Sequence, residues 1–166
     1  MKLISIDVGT VSLGMCSFDS ATGKYDFGIY NLRELVKLKK YSKDYCRLAH
    51  ALIEHKKQLF KDTDVVLIER QIQAGMKQVA TALRAFLWHK KVFLIAPIVV
   101  KRHFNTSTSN YAKNKNAACD KFLELASEEA KKRFKPLKKK QKTDVSDAFL
   151  QCLYYVQKKS KIKSKS

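Results

Sequence analysis

Four acidic side chains stand where acids are costly to place. Asp7 closes the apolar run Leu3-Ile4-Ser5-Ile6, and Glu69 closes Val65-Val66-Leu67-Ile68. Both runs read as buried central strands, since branched apolar residues suit a sheet interior. Asp144 and Asp147 are three apart at the start of an apolar-periodic segment, so they share one face of a helix. An ionised carboxylate in apolar surroundings costs several kcal/mol or more unless something compensates it. Each acid also has an ordinary reading. Asp7 can open a turn before Gly9, Glu69 can sit in solvent beside Arg70, and acids in a first turn gain about 0.3–1 kcal/mol each from the helix dipole. Should the four converge, two carboxylates about 4 Å apart repel by roughly 4 kcal/mol at an effective dielectric near 20, so protons or cations must intervene. An all-oxygen cluster selects hard divalent cations, Mg²⁺ or Mn²⁺. Two such ions bridged by carboxylates activate a water and stabilise the leaving oxygen in phosphodiester hydrolysis.

Charge points the same way. The 166 residues carry 34 Lys and Arg against 15 acidic residues, for a formal net charge of +19. So large an imbalance implies a polyanionic partner, with nucleic acid as the default. No apolar run approaches the ~20 residues of a membrane span, and the N-terminus lacks a secretory pattern, so an intracellular protein without a membrane partner is expected. Cys16, Cys46, Cys119 and Cys152 are scattered without zinc-ligand spacing and read as buried free thiols. His50, His55, His89 and His103 show no metal spacing either and read as surface or edge residues.

The elements that must position the acids form an α/β chain. After the first strand, Val11 to Phe18 and Tyr25 to Leu32 read as strands joined by short turns, an antiparallel start to a mixed sheet. Gly9 and Gly14 bracket the first turn. Ser42 reads as the cap of a helix to about Phe60 with Tyr45, Leu48, Ala49, Leu52 and Leu59 inward. A helix over Ala74 to Lys90 carries one stripe of Met76, Val79, Ala80, Leu83 and Leu87, and a second of Gly75, Val79, Ala82 and Phe86. A surface helix needs only one stripe, so the second faces another helix or another subunit. Trp88 lies off both. Val92 to Ala96 is the last strand, stopped by Pro97, and Ile98 to Asn110 is a connection carrying Lys101 and Arg102. A helix from about Lys113 to Ala130 precedes Lys131 to Lys142, where eight of twelve residues are basic and a solvated loop is expected. The final helix is expected from Thr143, its cap, to about Gln157, with Val145, Phe149, Cys152 and Val156 inward. The reading is one domain over residues 1–157 and a basic, disordered tail over 158–166.

The motif order gives a resemblance. A strand-ending Asp followed by Gly, a strand-ending Glu and a late Asp-x-x-Asp helix resemble the RuvC-like resolvase branch of the ribonuclease H-like superfamily. Ser5-Ile6-Asp7-Val8-Gly9, Ile68-Glu69-Arg70-Gln71, Pro97-Ile98-Val99-Val100-Lys101 and Asp144-Val145-Ser146-Asp147-Ala148 look like the poxvirus Holliday junction resolvases, and the mitochondrial resolvases of fungi are similar. The resemblance implies a ribonuclease H-like fold with a mixed five-stranded sheet flanked by helices. It implies a homodimer that cuts four-way DNA junctions by paired symmetric nicks, leaving 5′-phosphate and 3′-hydroxyl ends, with two Mg²⁺ (or Mn²⁺) per active site. Asp7, Glu69, Asp144 and Asp147 would be the metal ligands. Lys101 would contact DNA or the scissile phosphate, and Lys115 or Lys113 would be a second such lysine. Arg102, Gln71, Lys138, Lys139, Lys140 and Lys142 would contact DNA. Gly75, Val79, Ala82 and Phe86 would lie on the dimer-forming helix, and the cytoplasm of an infected host cell would be the setting. Asp7-Val8-Gly9-Thr10 also resembles the phosphate loop of actin-like ATPases, but the chain is too short and lacks their second motif. A different ribonuclease H-like nuclease would use the same acids, since a metal site does not by itself choose a substrate. A non-catalytic basic DNA-binding protein would explain the charge but not the placement of the acids.

A charge-driven partner has a measurable signature. If about six to ten phosphates are neutralised per dimer, log K for DNA falls with log salt at a slope of roughly −5 to −9. A titration series over salt checks this; a slope near zero would remove the role assigned to the charge. A merely solvated tail at 158–166 would contribute little to that slope.

Overall fold

Side-chain alternation along the first strand divides the molecule into two layers. The computed structural model describes residues 1–36, 43–107 and 111–163, without the side chains of 111–115, 162 and 163. In β1 (Lys2–Asp7), Ile4 and Ile6 enter one apolar core, while Leu3 enters the other. Successive side chains alternate, so Ser5 and Asp7 share the face of Leu3. In β4 (Val65–Glu69), Val66 and Ile68 join the first core, and Val65 and Leu67 the second. The strands are parallel in the register Ile6↔Ile68, which brings Asp7 and Glu69 to one end and one face. That register is the first condition for a site.

The sheet order is β3-β2-β1-β4-β5. β2 (Ser12–Asp19) and β3 (Tyr25–Asn31) continue antiparallel from β1, and β5 (Lys91–Ile95) lies parallel to β4. This is the expected mixed five-stranded sheet with its first three strands antiparallel. One face is covered by α2 (Tyr45–His55) and α4 (Ala74–Phe86), with α1 (Leu32–Val36) and α3 (Lys57–Lys61) adding Leu32 and Phe60 to the same core. The other carries α6 (Tyr111–Leu125), α7 (Glu128–Phe134) and α8 (Lys139–Lys163), with Val100 from α5 (Pro97–His103).

Several elements differ from the sequence reading, each for a local reason. Asp44 caps α2, its carboxylate accepting from Arg47 N at 3.0 Å; Ser42 lies outside the described residues. Pro97 does more than stop a strand. It occupies the first turn of α5, where its fixed φ and missing N–H suit a helix start, so the expected connection is a helix there. Asn105, at φ 55°, ends that helix in the left-handed region, and Thr106 N donates back to Lys101 O at 2.9 Å. The basic stretch Lys131 to Lys142 is not a solvated loop. Ser127 caps α7, acids fill its first turn and cations its last, and Phe134 stacks on Phe122 with centroids 4.3 Å apart. Nor does Thr143 cap α8. The helix begins at Lys139, and the Thr143 hydroxyl donates to Lys139 O at 3.2 Å within it. The same helix runs on to Lys163, so the tail expected from Lys158 is helical that far; residues 164–166 lie outside the described residues. Of the cysteines, Cys16 and Cys152 are buried as expected, whereas Cys46 is exposed and Cys119 half-buried; all four are free thiols.

Part of the second stripe of α4 is buried in this chain's own core. Val79 and Ala82 are buried, a Cβ on Gly75 would meet the Tyr45 hydroxyl of α2, and the Phe86 ring lies 5.4 Å from His50 of α2. Small residues let α2 and α4 close on each other, so Val79 and Ala82 are covered within this chain, while Phe86 of the same stripe stays 41% exposed.

A buried polar pair sets the register of α8 on β1. Gln151 Nε2 donates to Ser5 Oγ at 2.9 Å, with both residues out of solvent. Gln151→Leu leaves the Ser5 hydroxyl unpaired and is expected to cost about 1–3 kcal/mol in urea unfolding. The double variant Ser5→Ala/Gln151→Leu removes both polar groups and should recover most of that loss; a double variant as unstable as the single one would contradict this account.

Candidate metal centre

Three elements deliver the acids. Asp7 and Glu69 end adjacent parallel strands, and Asp147 descends from α8, which crosses the same face. Carboxylate oxygens of Asp7, Glu69 and Asp147 all lie within 4.8 Å of one another. Asp144 lines the same pocket but stands outside that tight group, its side chain 14% exposed and its Oδ2 4.0 Å from Lys140 Nζ. Because α8 starts at Lys139, both of its acids lie beyond the first turn, where the dipole gives little. Helix capping therefore does not account for them.

A close approach makes the convergence possible. Gly14 does not bracket a turn; it sits inside β2 opposite Asp7. A Cβ there would lie 2.3 Å from the Asp144 carbonyl oxygen, so only glycine lets α8 come down over β2. Gly9 does serve the turn, since a Cβ would meet Ser12 O.

The electrostatics are those of mutually repelling carboxyls. Burial first, then Glu69, Asp147 and Asp144, hold the Asp7 carboxyl well above the usual carboxylate range, with Lys140 opposing. Burial, followed by Asp147, lifts Glu69 to about 7, against the attraction of Lys101 and a hydrogen bond from Gln71. All-carboxylate oxygen donors this close, buried and mutually repelling, fit a hard divalent cation. Asp7, Glu69 and Asp147 could share one ion, with Asp144 near enough in the pocket to extend the set.

The pocket encloses about 340 Å³ and includes Lys101, Lys140, Arg70, Gln71 and Pro97 in its wall. Lys101 comes from α5, the helix the sequence reading missed. Gln71 Nε2 donates to Glu69 Oε1 at 3.4 Å, so it steadies a carboxylate, a role beyond the phosphate contact expected of it. The two-residue spacing, which returns a strand-end side chain to the same face, was the available signal. Of the other expected DNA contacts, Arg102, Lys138 and Lys139 are exposed and Lys142 is half-buried; none of these four lines this pocket. Lys113 and Lys115 fall in α6, but their side chains lie outside the described residues. Among the described residues, no helix is long and apolar enough to cross a membrane.

A carboxylate cluster at the ends of β1 and β4, beneath a long helix on a β3-β2-β1-β4-β5 sheet, defines a RuvC-like member of the ribonuclease H-like fold. The chain belongs to the family described as Poxvirus A22 protein, whose pattern matches residues 1–159. Its fold is similar to that of the fowlpox virus resolvase solved with substrate Holliday junction DNA, at 14% identity and a TM-score of 0.69, over 95% of this chain and 98% of that one. The yeast mitochondrial Holliday junction resolvase is similar at 14% identity and 0.66, over 98% and 85%. Thermus thermophilus RuvC follows at 13% and 0.52, over 95% and 96%. No curated protein matches the chain by sequence.

Mutual repulsion among these carboxyls should be visible as instability once divalent metal is chelated. In chelator, Asp7→Asn is expected to raise the melting temperature, by the equivalent of about 1–3 kcal/mol, because one buried like charge disappears. Adding Mn²⁺ should then raise the wild-type melting temperature and leave that of Asp7→Asn nearly unchanged. Calorimetry with and without metal checks both; a destabilised Asp7→Asn protein in chelator would refute the repulsion.

Proposed function

We propose that this protein is a structure-selective DNA endonuclease that resolves four-way (Holliday) junctions by paired symmetric nicks, leaving 5′-phosphate and 3′-hydroxyl ends. The observation that carries the reading is the convergence of three half-buried carboxylates from β1, β4 and α8 in a chain of net charge +19. Family membership and the likeness to resolvase folds support the choice of branched DNA as substrate.

Asp7, Glu69, Asp144 and Asp147 would hold two Mg²⁺ or Mn²⁺ ions per site. Bound there, the ions supply an activated water and charge stabilisation for the leaving oxygen. The chain's own groups do the rest. Lys101, in the pocket wall beside Glu69, offers an ammonium to a phosphate oxygen and favours the ionised form of that carboxylate. Gln71 fixes the Glu69 carboxylate in orientation. Lys140, with Lys138, Lys139 and Lys142 beside it at the start of α8, draws the DNA backbone toward the pocket. Arg102, Lys113 and Lys115 extend that basic surface. A junction presents two equivalent strands, and one chain offers one acidic cluster, so a twofold homodimer matches the substrate. Gly75, Val79, Ala82 and Phe86 on α4 would lie at its contact, with Phe86 the exposed member of that stripe. The cytoplasm of an infected cell is the setting that the family suggests.

A labelled four-way junction incubated with Mg²⁺, beside matched duplex and single strands, tests the activity by mapping the cuts. Symmetric paired nicks in the junction alone are expected; equal cutting of duplex would leave a different nuclease. Asp7→Asn, Glu69→Gln, Asp144→Asn and Asp147→Asn should each abolish cleavage while junction affinity holds or improves, since a lost carboxylate is one less repulsion against phosphate. Affinity falling in step with cleavage across all four variants would overturn the assignment.

A further inference from the structure

Beside the edge strand β5, a groove of about 400 Å³ runs between that strand and the last turns of α8. Phe93, Ile95, Ala96 and Val99 form its apolar side, while Tyr154, Tyr155, Lys158 and Lys159 face them from α8. Phe93 is 40% exposed, and its ring lies 5.6 Å from that of Tyr155. Lys158 Nζ sits 5.7 Å over the Tyr154 ring and Lys159 Nζ 5.8 Å over the Tyr155 ring. Among the described residues no acidic side chain lines the groove, and no Asp or Glu follows Asp147 in the sequence. Lys121 and Lys131, by contrast, pair with Glu124 and Glu128 three residues away, each at 2.7 Å. The last turns of α8 are also fixed in place. His103 of α5 meets Gln157 Oε1 through Nε2 at 2.6 Å and packs its ring 5.3 Å from Tyr154.

Arg70 connects this groove to the metal pocket. It follows Glu69, lines both cavities and is exposed, with its backbone N–H donating to Ile95 O at 2.8 Å. We infer that the groove is a second DNA-contact surface, holding the sugar–phosphate backbone of a strand leading away from the cut. Arg70, Lys158 and Lys159 take its phosphates, while Phe93 and Val99 lie against its sugars. Cations beside aromatic rings in one groove are the pairing that tracks a nucleic-acid strand. A second copy of this chain fits badly, because a twofold contact would set these cations against their equivalents. The inference rests on the DNA-binding reading above, and it reverses the expectation that residues beyond Lys158 matter little.

Lys158→Ala/Lys159→Ala tests it, with Lys158→Arg/Lys159→Arg retaining the charge. Junction affinity is measured by anisotropy in chelator across a salt series, cleavage by single-turnover kinetics at saturating protein, and oligomeric state by light scattering. The alanine variant should lose affinity on the order of tenfold or more at 0.1 M salt, with a log–log salt slope shallower by about 2 per chain. The arginine variant should keep both, and the single-turnover rate should be unchanged in each. Unchanged affinity and slope would overturn the inference. So would an altered oligomeric state with the slope intact, which would make the groove a protein contact. A wild-type protein that shows this slope difference yet cuts nothing would sink the nuclease reading and leave the groove standing.

Discussion

The structure depends on one electrostatic conflict: carboxylates of like charge held together, half-buried, at one end of the sheet. Lys101 and Lys140 oppose it only in part, and Glu69 is still lifted to about 7. A fold under selection for stability alone would place apolar residues at these positions, because buried charges without compensation are costly. The parallel register of β1 and β4 and the descent of α8 nevertheless force the meeting. The conflict is thus built into the backbone, and a divalent cation is the counter-charge that fits it.

Much of the remaining architecture serves that meeting. Ser5 and Gln151 lock α8 to β1 on the face that carries Asp7 and Asp147. Glycine at position 14 gives α8 room to approach, with the Asp144 backbone directly over it. On the far side of the sheet, α2 and α4 close over Val79 and Ala82 and give the strands a dry backing. Pro97 starts α5 at the end of β5, and the left-handed Asn105 ends it, so Lys101 is carried on a short helix beside Glu69. Each device uses a different local property: a buried hydrogen bond, a missing Cβ, a fixed φ.

What could be read in the sequence was the part governed by short-range pattern. The apolar runs ending in Asp7 and Glu69 had the composition of covered strands, and the structure buries them on both faces. Motif order suggested their convergence with Asp147, and the structure brings the three carboxylates together. The failures share a cause. In residues 131–142 lysine content suggested solvent, whereas Phe134 and Leu137 anchor the segment to the core and the flanking charges suit helix ends. Lysines also hid the true start and end of α8, since long basic side chains tolerate a helix as readily as a loop. The second stripe of α4 was rightly seen as contact-forming, but periodicity cannot say whether the neighbour is another helix or another chain. Gly14 was assigned to a turn because sequence does not show which strand glycine has a helix lying on it.

The central claim is that the register of β1, β4 and α8 creates a cation site before any DNA arrives. Electron paramagnetic resonance of Mn²⁺ titrated into the DNA-free protein tests it most directly. The account predicts saturable binding that is lost in Asp147→Asn, the variant that removes the α8 contribution to the three-carboxylate group. Absence of saturable binding in the wild type, or equal binding by the two proteins, would contradict it.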